Sequence, residues 1–200
     1  MKYLLANKKK VFGRRLVFML GELLSKAAPF FMLPIIARNL GPEAIYIYTS
    51  YIIAVFILQT LLSGWVTPYL SVCFFKSKKE FYGLTAILST TYTSFALIPL
   101  LFLCLFYFSD GDTYLSIAAL VGASSFFSSL IQLFMIQKQM SGDAITFSLI
   151  NILRSFSFLL ISCISIVFYE VSILYVVLIH MFIQFVIVVV FHVVYFQKLA

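Results

Sequence analysis

Charge is scarce in this chain. Only 10% of its 200 residues are Asp, Glu, Lys or Arg, against roughly a quarter in soluble domains. A chain so poor in charge cannot cover a folded surface with polar groups, which excludes a soluble globular protein. Acid is scarcer still. Its seven carboxylates include no pair placed for acid–base work, and no Ser/His/Asp constellation stands beside them, which argues against a membrane-embedded polymerase or acyltransferase. The three cysteines, Cys73, Cys104 and Cys163, lie in or beside apolar stretches without disulfide or metal-ligand spacing and read as packing residues. Strict apolar–polar alternation is missing too, which argues against strands.

What fills the chain is apolar residues, at 63%. A spanning helix needs ~20 mainly apolar residues, so the chain accommodates about six of them with short polar breaks and no folded domain outside the bilayer. The backbone pairing that hydrocarbon demands selects helices. Spans are expected at 16–37, 46–72, 84–108, 114–136, 144–168 and 172–196, after a basic tail over 1–15. The fold class is therefore all-α, a polytopic membrane bundle, with no linker and no internal repeat. Short connections make consecutive helices antiparallel neighbours.

The net charge of +7 forms no patch on a soluble fold and does not point to nucleic acid. It sorts by connection instead. Lys2, Lys8, Lys9, Lys10, Arg14 and Arg15 precede the first span, Lys76, Lys78 and Lys79 follow the second, Lys138 follows the fourth and Lys198 follows the sixth. The opposite side carries Arg38 with Glu43, then Asp110, Asp112 and Glu170. By the positive-inside rule both ends are cytoplasmic. Glu22 and Lys26 interrupt the first apolar stretch and no small-residue cleavage site follows, so it reads as an uncleaved helix rather than a signal peptide. Arg14 and Arg15 set topology. Tyr46, Tyr48, Tyr69, Tyr82, Tyr107, Tyr114, Tyr169 and Tyr195 suit interfacial belts.

Three charges fall inside spans. Glu22 and Lys26 are four residues apart with the acid first, the favourable order for a pair on one helix face; Ser25 and Pro29 extend that face. The pair either docks helix 1 or faces an aqueous cavity, and the two roles are compatible. Arg154 has no acid at helical spacing, only Ile150, Asn151, Ser157 and Phe158. Its guanidinium must reach another helix or water, with Glu22 the expected partner. Ser148, Asn151, Ser155 and Ser162 recur around it, and Ser125, Ser128, Ser129 and Gln132 form a stripe on the helix before. Small hydroxylated residues also let helices approach and bond across an interface. His180 and Gln184 share a face of the last span, with His192 near the same stripe, and read as bundle hydrogen bonding or as proton coupling. No metal set accompanies them. Pro29, Pro34, Pro68 and Pro99 each remove a backbone donor and permit kinks.

The stretch Gly21-Glu22-Leu23-Leu24-Ser25-Lys26-Ala27-Ala28-Pro29-Phe30-Phe31, followed by Leu33-Pro34-Ile35-Ile36-Ala37-Arg38-Asn39-Leu40-Gly41-Pro42-Glu43, resembles the start of polysaccharide-biosynthesis (O-antigen) flippases of the Wzx type, in the multidrug/oligosaccharidyl-lipid/polysaccharide exporter superfamily. The match covers about residues 21–48; Tyr46 stands where that family often has glycine. The resemblance implies a carrier, not an enzyme, and no cofactor. It would move a lipid-linked oligosaccharide, on undecaprenyl pyrophosphate, across the bacterial inner membrane, for lipopolysaccharide or other surface polysaccharide. Substrate-cavity residues would be Lys26, Arg154, Glu22 and Asn151, with His180 and Gln184 as coupling or bundle-polar groups. Such flippases have two six-helix halves and this chain carries the first. Its expected partners are the lipid-linked substrate, membrane lipids and a second six-helix half or other polysaccharide-assembly proteins. A truncated, non-transporting scaffold and an exporter of another substrate in the same superfamily remain alternatives.

Overall fold

The computed structural model describes the backbone of residues 2–107, 113–169 and 171–197, and the side chains of 13, 15–101, 115–169 and 171–191. Every described element is an α-helix: α1 (Lys2–Leu40), α2 (Pro42–Ser63), α3 (Val66–Lys76), α4 (Lys78–Tyr107), α5 (Thr113–Ser141), α6 (Ala144–Tyr169) and α7 (Ile173–Gln197). They supply six helical spans long and apolar enough to cross a membrane, with α2 and α3 sharing one. The chain is a polytopic helical bundle. The side chains of Lys2, Lys8, Lys9, Lys10, Arg14, Cys104, Tyr107, Asp110, Asp112, Tyr114, Glu170, His192, Tyr195 and Lys198 lie outside the described residues.

Several helices run beyond the expected spans, α4 beginning at Lys78 rather than 84 and α5 ending at Ser141 rather than 136, and one span is interrupted. The first span starts at Arg15, against the expected 16, while its helix already begins at Lys2, because Leu, Ala and Lys in the basic segment favour helix and no proline interrupts it. The second span is broken at Gly64 and Trp65. Pro68 sits in the first turn of α3 and has no N–H to offer the Gly64 carbonyl, so the helix restarts instead of continuing. Pro29, Pro34 and Pro99, by contrast, lie inside continuous helices. At the α1–α2 reversal Gly41 has φ 85°, a left-handed conformation that disfavours any Cβ. Pro42 then opens α2 and Glu43 occupies its first turn, where an acid meets the positive helix end.

The centre of the bundle is α5, which touches α2, α3, α4, α6 and α7. Ser124, Ser128 and Ser129 on it are fully buried. Ser125 donates to the Val121 carbonyl (2.7 Å) and Ser129 to that of Ser125 (2.8 Å), so these hydroxyls are satisfied within their own helix and leave a slim surface for close packing. Tyr51, Val55, Leu70 and Phe81 pack with Phe127 and Ile131 of α5 in one cluster. A second cluster, including Met32, Ile36, Tyr48, Phe158, Ile166 and Val176, joins α1, α2, α6 and α7. Outward faces are rich in exposed Phe, Leu, Ile and Val, which in a chain of six apolar spans are the lipid-facing sides.

The tightest approach is between α1 and α6. A Cβ placed on Gly21 would come within 2.8 Å of the Ser148 Cα, so the two backbones meet there. Ser148 Oγ donates to the Val17 carbonyl (2.7 Å), and Ser155 Oγ to that of Ser25 (3.2 Å). These contacts advance together along both helices, so α1 and α6 run parallel. In the same way Tyr51–Ser124 and Gln59–Gln132 make α2 parallel to α5. Gln137–Thr85, with Gly122 against Pro99, makes α4 antiparallel to α5.

Candidate functional site

Two polar sites lie inside the spans, and they face different ways. The first is on α1. Lys26 Nζ donates to Glu22 Oε1 at 2.8 Å, with the two side chains 73% and 56% exposed. Ser25, between them, donates to the Glu22 carbonyl (2.9 Å) while its own carbonyl accepts from Ser155. Helical spacing turns Glu22 and Lys26 away from the Gly21 and Ala28 positions that pack inward. Lys26 is close to the middle of the 26-residue span Arg15–Leu40, and Glu22 lies one turn nearer its start. They therefore occupy an uncovered helix face within the span.

The second site is interior and assembles from α2, α5, α6 and α7. Tyr51 Oη lies 2.6 Å from Ser124 Oγ and 2.9 Å from His180 Nδ1. Gln184 Nε2 lies 3.1 Å from His180 Nε2. With the Gln184 amide donating to Nε2, His180 carries its proton on Nδ1 and donates to Tyr51, which donates to Ser124. With the amide turned, every donor in the chain reverses, so the tautomer follows from the amide's assignment. Phe158 flanks the imidazole, 4.7 Å between ring centroids, and stacks on Tyr48 at 6.4 Å. Tyr48 Oη, Ser162 Oγ and Gln184 Oε1 are buried without a hydrogen-bond partner among the described residues.

Arg154 points into this interior. Its Nη2 donates to Ser128 Oγ on α5 at 3.4 Å. The partner is thus not Glu22, which Lys26 holds on the outward side of α1. The physical reason is rotation about α6. Arg154 lies about 100° from Ser155, the residue that contacts α1, and so turns toward α5. Asn151 is half-buried one turn before Arg154. The structure therefore brings Glu22 to Lys26 and His180 to Gln184, but does not bring Lys26 to Arg154.

Tyr51 and Ser124 are interior groups of this site that the sequence pattern did not single out, as are Gln59, bonded to Gln132, and Gln137, bonded to Thr85, elsewhere in the bundle. Tyr48 was expected in an interfacial belt, yet it is 1% exposed, because it shares an inward stripe with Tyr51 and Val55 at helical spacing. That stripe was the available signal. Tyr46, Tyr69, Tyr82 and Tyr169 do face outward. Among the described residues no group of three or more His, Cys, Asp or Glu comes together to hold a metal. Comparisons with protein-family models, with curated proteins and with solved structures found no match for this chain.

Proposed function

We propose that this chain is one half of a flippase for a lipid-linked oligosaccharide, working in the bacterial inner membrane with its N-terminus and C-terminus inside. The observation that carries this reading is the Glu22–Lys26 pair on the uncovered face of α1. Charges at mid-depth cost several kcal/mol against lipid and normally border water or protein. A six-helix bundle that presents them outward is suited to form one wall of a pathway closed by a second bundle. Rocking of the two bundles would expose the pathway to each side in turn.

Lys26 is the cationic group of that wall, with Glu22 setting its field. A pyrophosphate on the carrier lipid meets the ammonium in competition with Glu22, which makes capture reversible. A charge-assisted hydrogen bond is worth about 1.5–3 kcal/mol, so Lys26→Ala is expected to slow flipping by about 10-fold to 100-fold.

The test uses this chain with its complementary half in proteoliposomes carrying a fluorescent undecaprenyl-pyrophosphate oligosaccharide, with an impermeant quencher reporting transbilayer movement. Protein-dependent flipping that Lys26→Ala slows, at equal protein incorporation, supports the reading. Equal rates for wild type and Lys26→Ala would remove Lys26 from the pathway. No flipping by the paired halves would favour a membrane scaffold.

A further inference from the structure

The interior site carries a charge that no described residue balances. Arg154 is half-buried and turned toward the central helix α5, and a guanidinium stays protonated there while offering five N–H donors. Its one hydrogen bond to a described residue is the long one to Ser128. On α5 it meets Ser128, and the neighbouring interior groups are Tyr51 of α2, Ser124 of α5 and His180 with Gln184 of α7, which bond to one another. The hydroxyl and amide groups are neutral, and His180 is bonded at both ring nitrogens.

None of the four described carboxylates reaches Arg154. Glu22 is bonded to Lys26 and Asp143 to Lys138, while Glu43 and Glu80 are exposed in the first turns of α2 and α4. A cation in a low-dielectric interior without a counter-charge is strongly unfavourable. In the same interior Tyr48 Oη and Gln184 Oε1 are buried and unpartnered among the described residues. Among the described residues the polar centre is therefore incompletely satisfied.

From this juxtaposition we infer that the bundle interior binds a small monovalent anion of the halide class, held by the Arg154 guanidinium with the Ser128 hydroxyl beside it. One cation balances one negative charge. The flanking groups are hydroxyls rather than further cations, which fits a halide and not a pyrophosphate. Lys26 lies on another face of the bundle, so this site is separate from the proposed substrate pathway and stands whether or not the chain moves a lipid-linked sugar.

A ligand that binds only the folded state raises its stability with the logarithm of concentration once above Kd. The purified full chain in detergent is heated in sodium chloride or sodium gluconate at constant ionic strength. The expected result is a Tm that climbs by a nearly constant step per tenfold rise in chloride above a threshold, follows bromide similarly, and ignores gluconate. Arg154→Gln should abolish the chloride response. Should that variant fail to fold, Ser128→Ala is expected to raise the half-effect chloride concentration several-fold, and chloride NMR linewidths of the wild type should broaden and be restored by excess iodide. A wild-type Tm identical in chloride and gluconate would overturn the inference, as would an undiminished chloride response in Arg154→Gln or, where that variant does not fold, in Ser128→Ala. An insensitive wild type would instead point to a carboxylate of another chain as the partner of Arg154.

Discussion

At the scale of single residues, what could be read in advance depended on whether the partner was local. Glu22 and Lys26 stand four residues apart, and the helix brings them to 2.8 Å because spacing alone decides it. Arg154 and Ser128 are 26 residues apart on different helices, and their meeting depends on how α6 is rotated, which no local pattern encodes. Asp143 belongs to the local kind. Its Oδ1 accepts from the Thr146 N–H (3.2 Å) at the start of α6, and Lys138 Nζ lies 3.5 Å from Oδ2. The hydrogen bonding at Thr146, helped by Lys138, holds this carboxyl below its ordinary value against a smaller opposing effect of burial.

A carboxyl depressed in the folded state favours folding above its unfolded value. That contribution disappears as pH falls through the lower folded value. Asp143→Asn retains a capping oxygen but loses the charge, and its stability cost at neutral pH should stay under the ~1 kcal/mol typical of losing a cap. The Tm gap between wild type and Asp143→Asn should therefore be present at pH 7, narrow as pH falls below about 4, where the unfolded carboxyl takes up its proton, and close only once pH has fallen through the lower folded value. Effects of other acids cancel in this difference. A gap of equal size at pH 3 and pH 7 would mean that the charge of Asp143 contributes nothing.

At the scale of elements, hydropathy located the spans because length and apolarity are summed properties that survive local errors. The break between α2 and α3 was less visible, since Gly64 and Pro68 together stop a helix that either alone could continue. The closeness of α1 and α6 was invisible for another reason. Ser148, Ser155 and Ser162 recur every seven residues, and Gly21 and Ala28 do the same on α1, but nothing in either repeat says that each is the other's partner. The structure makes that pairing testable. Gly21→Val puts a branched side chain where even a Cβ would approach the Ser148 backbone to within 2.8 Å. Because a backbone atom cannot step aside, the helices must separate, at a cost of about 1–3 kcal/mol. Tm should fall clearly, and Ser148→Gly in the same chain should recover only part of the loss. A Gly21→Val protein as stable as wild type would show that α1 does not pack on α6 in this register.

For the whole molecule, directions and sidedness rest on separate physics. Packing alone sets the directions: α1 lies parallel to α6, α2 parallel to α5, and α4 antiparallel to α5. It follows that the Leu40–Gly41 reversal and the Ser141–Gly142 turn open on opposite sides of the bilayer. Which side is cytoplasmic comes from the basic residues, with Lys76, Lys78, Lys79 and Lys138 clustered at one end and Arg38 accompanied by Glu43 at the other. Single cysteines introduced into a chain with Cys73, Cys104 and Cys163 replaced by alanine separate the two arguments. Glu43→Cys is expected to react with an impermeant maleimide on intact cells, and Ser141→Cys only after permeabilisation. The reverse pattern would keep the packing but turn the protein over, removing cytoplasmic loading of a substrate from the proposed pathway. Reaction of both on intact cells from a single inserted population would contradict the packing itself, since α5 separates the two positions by a full crossing of the membrane.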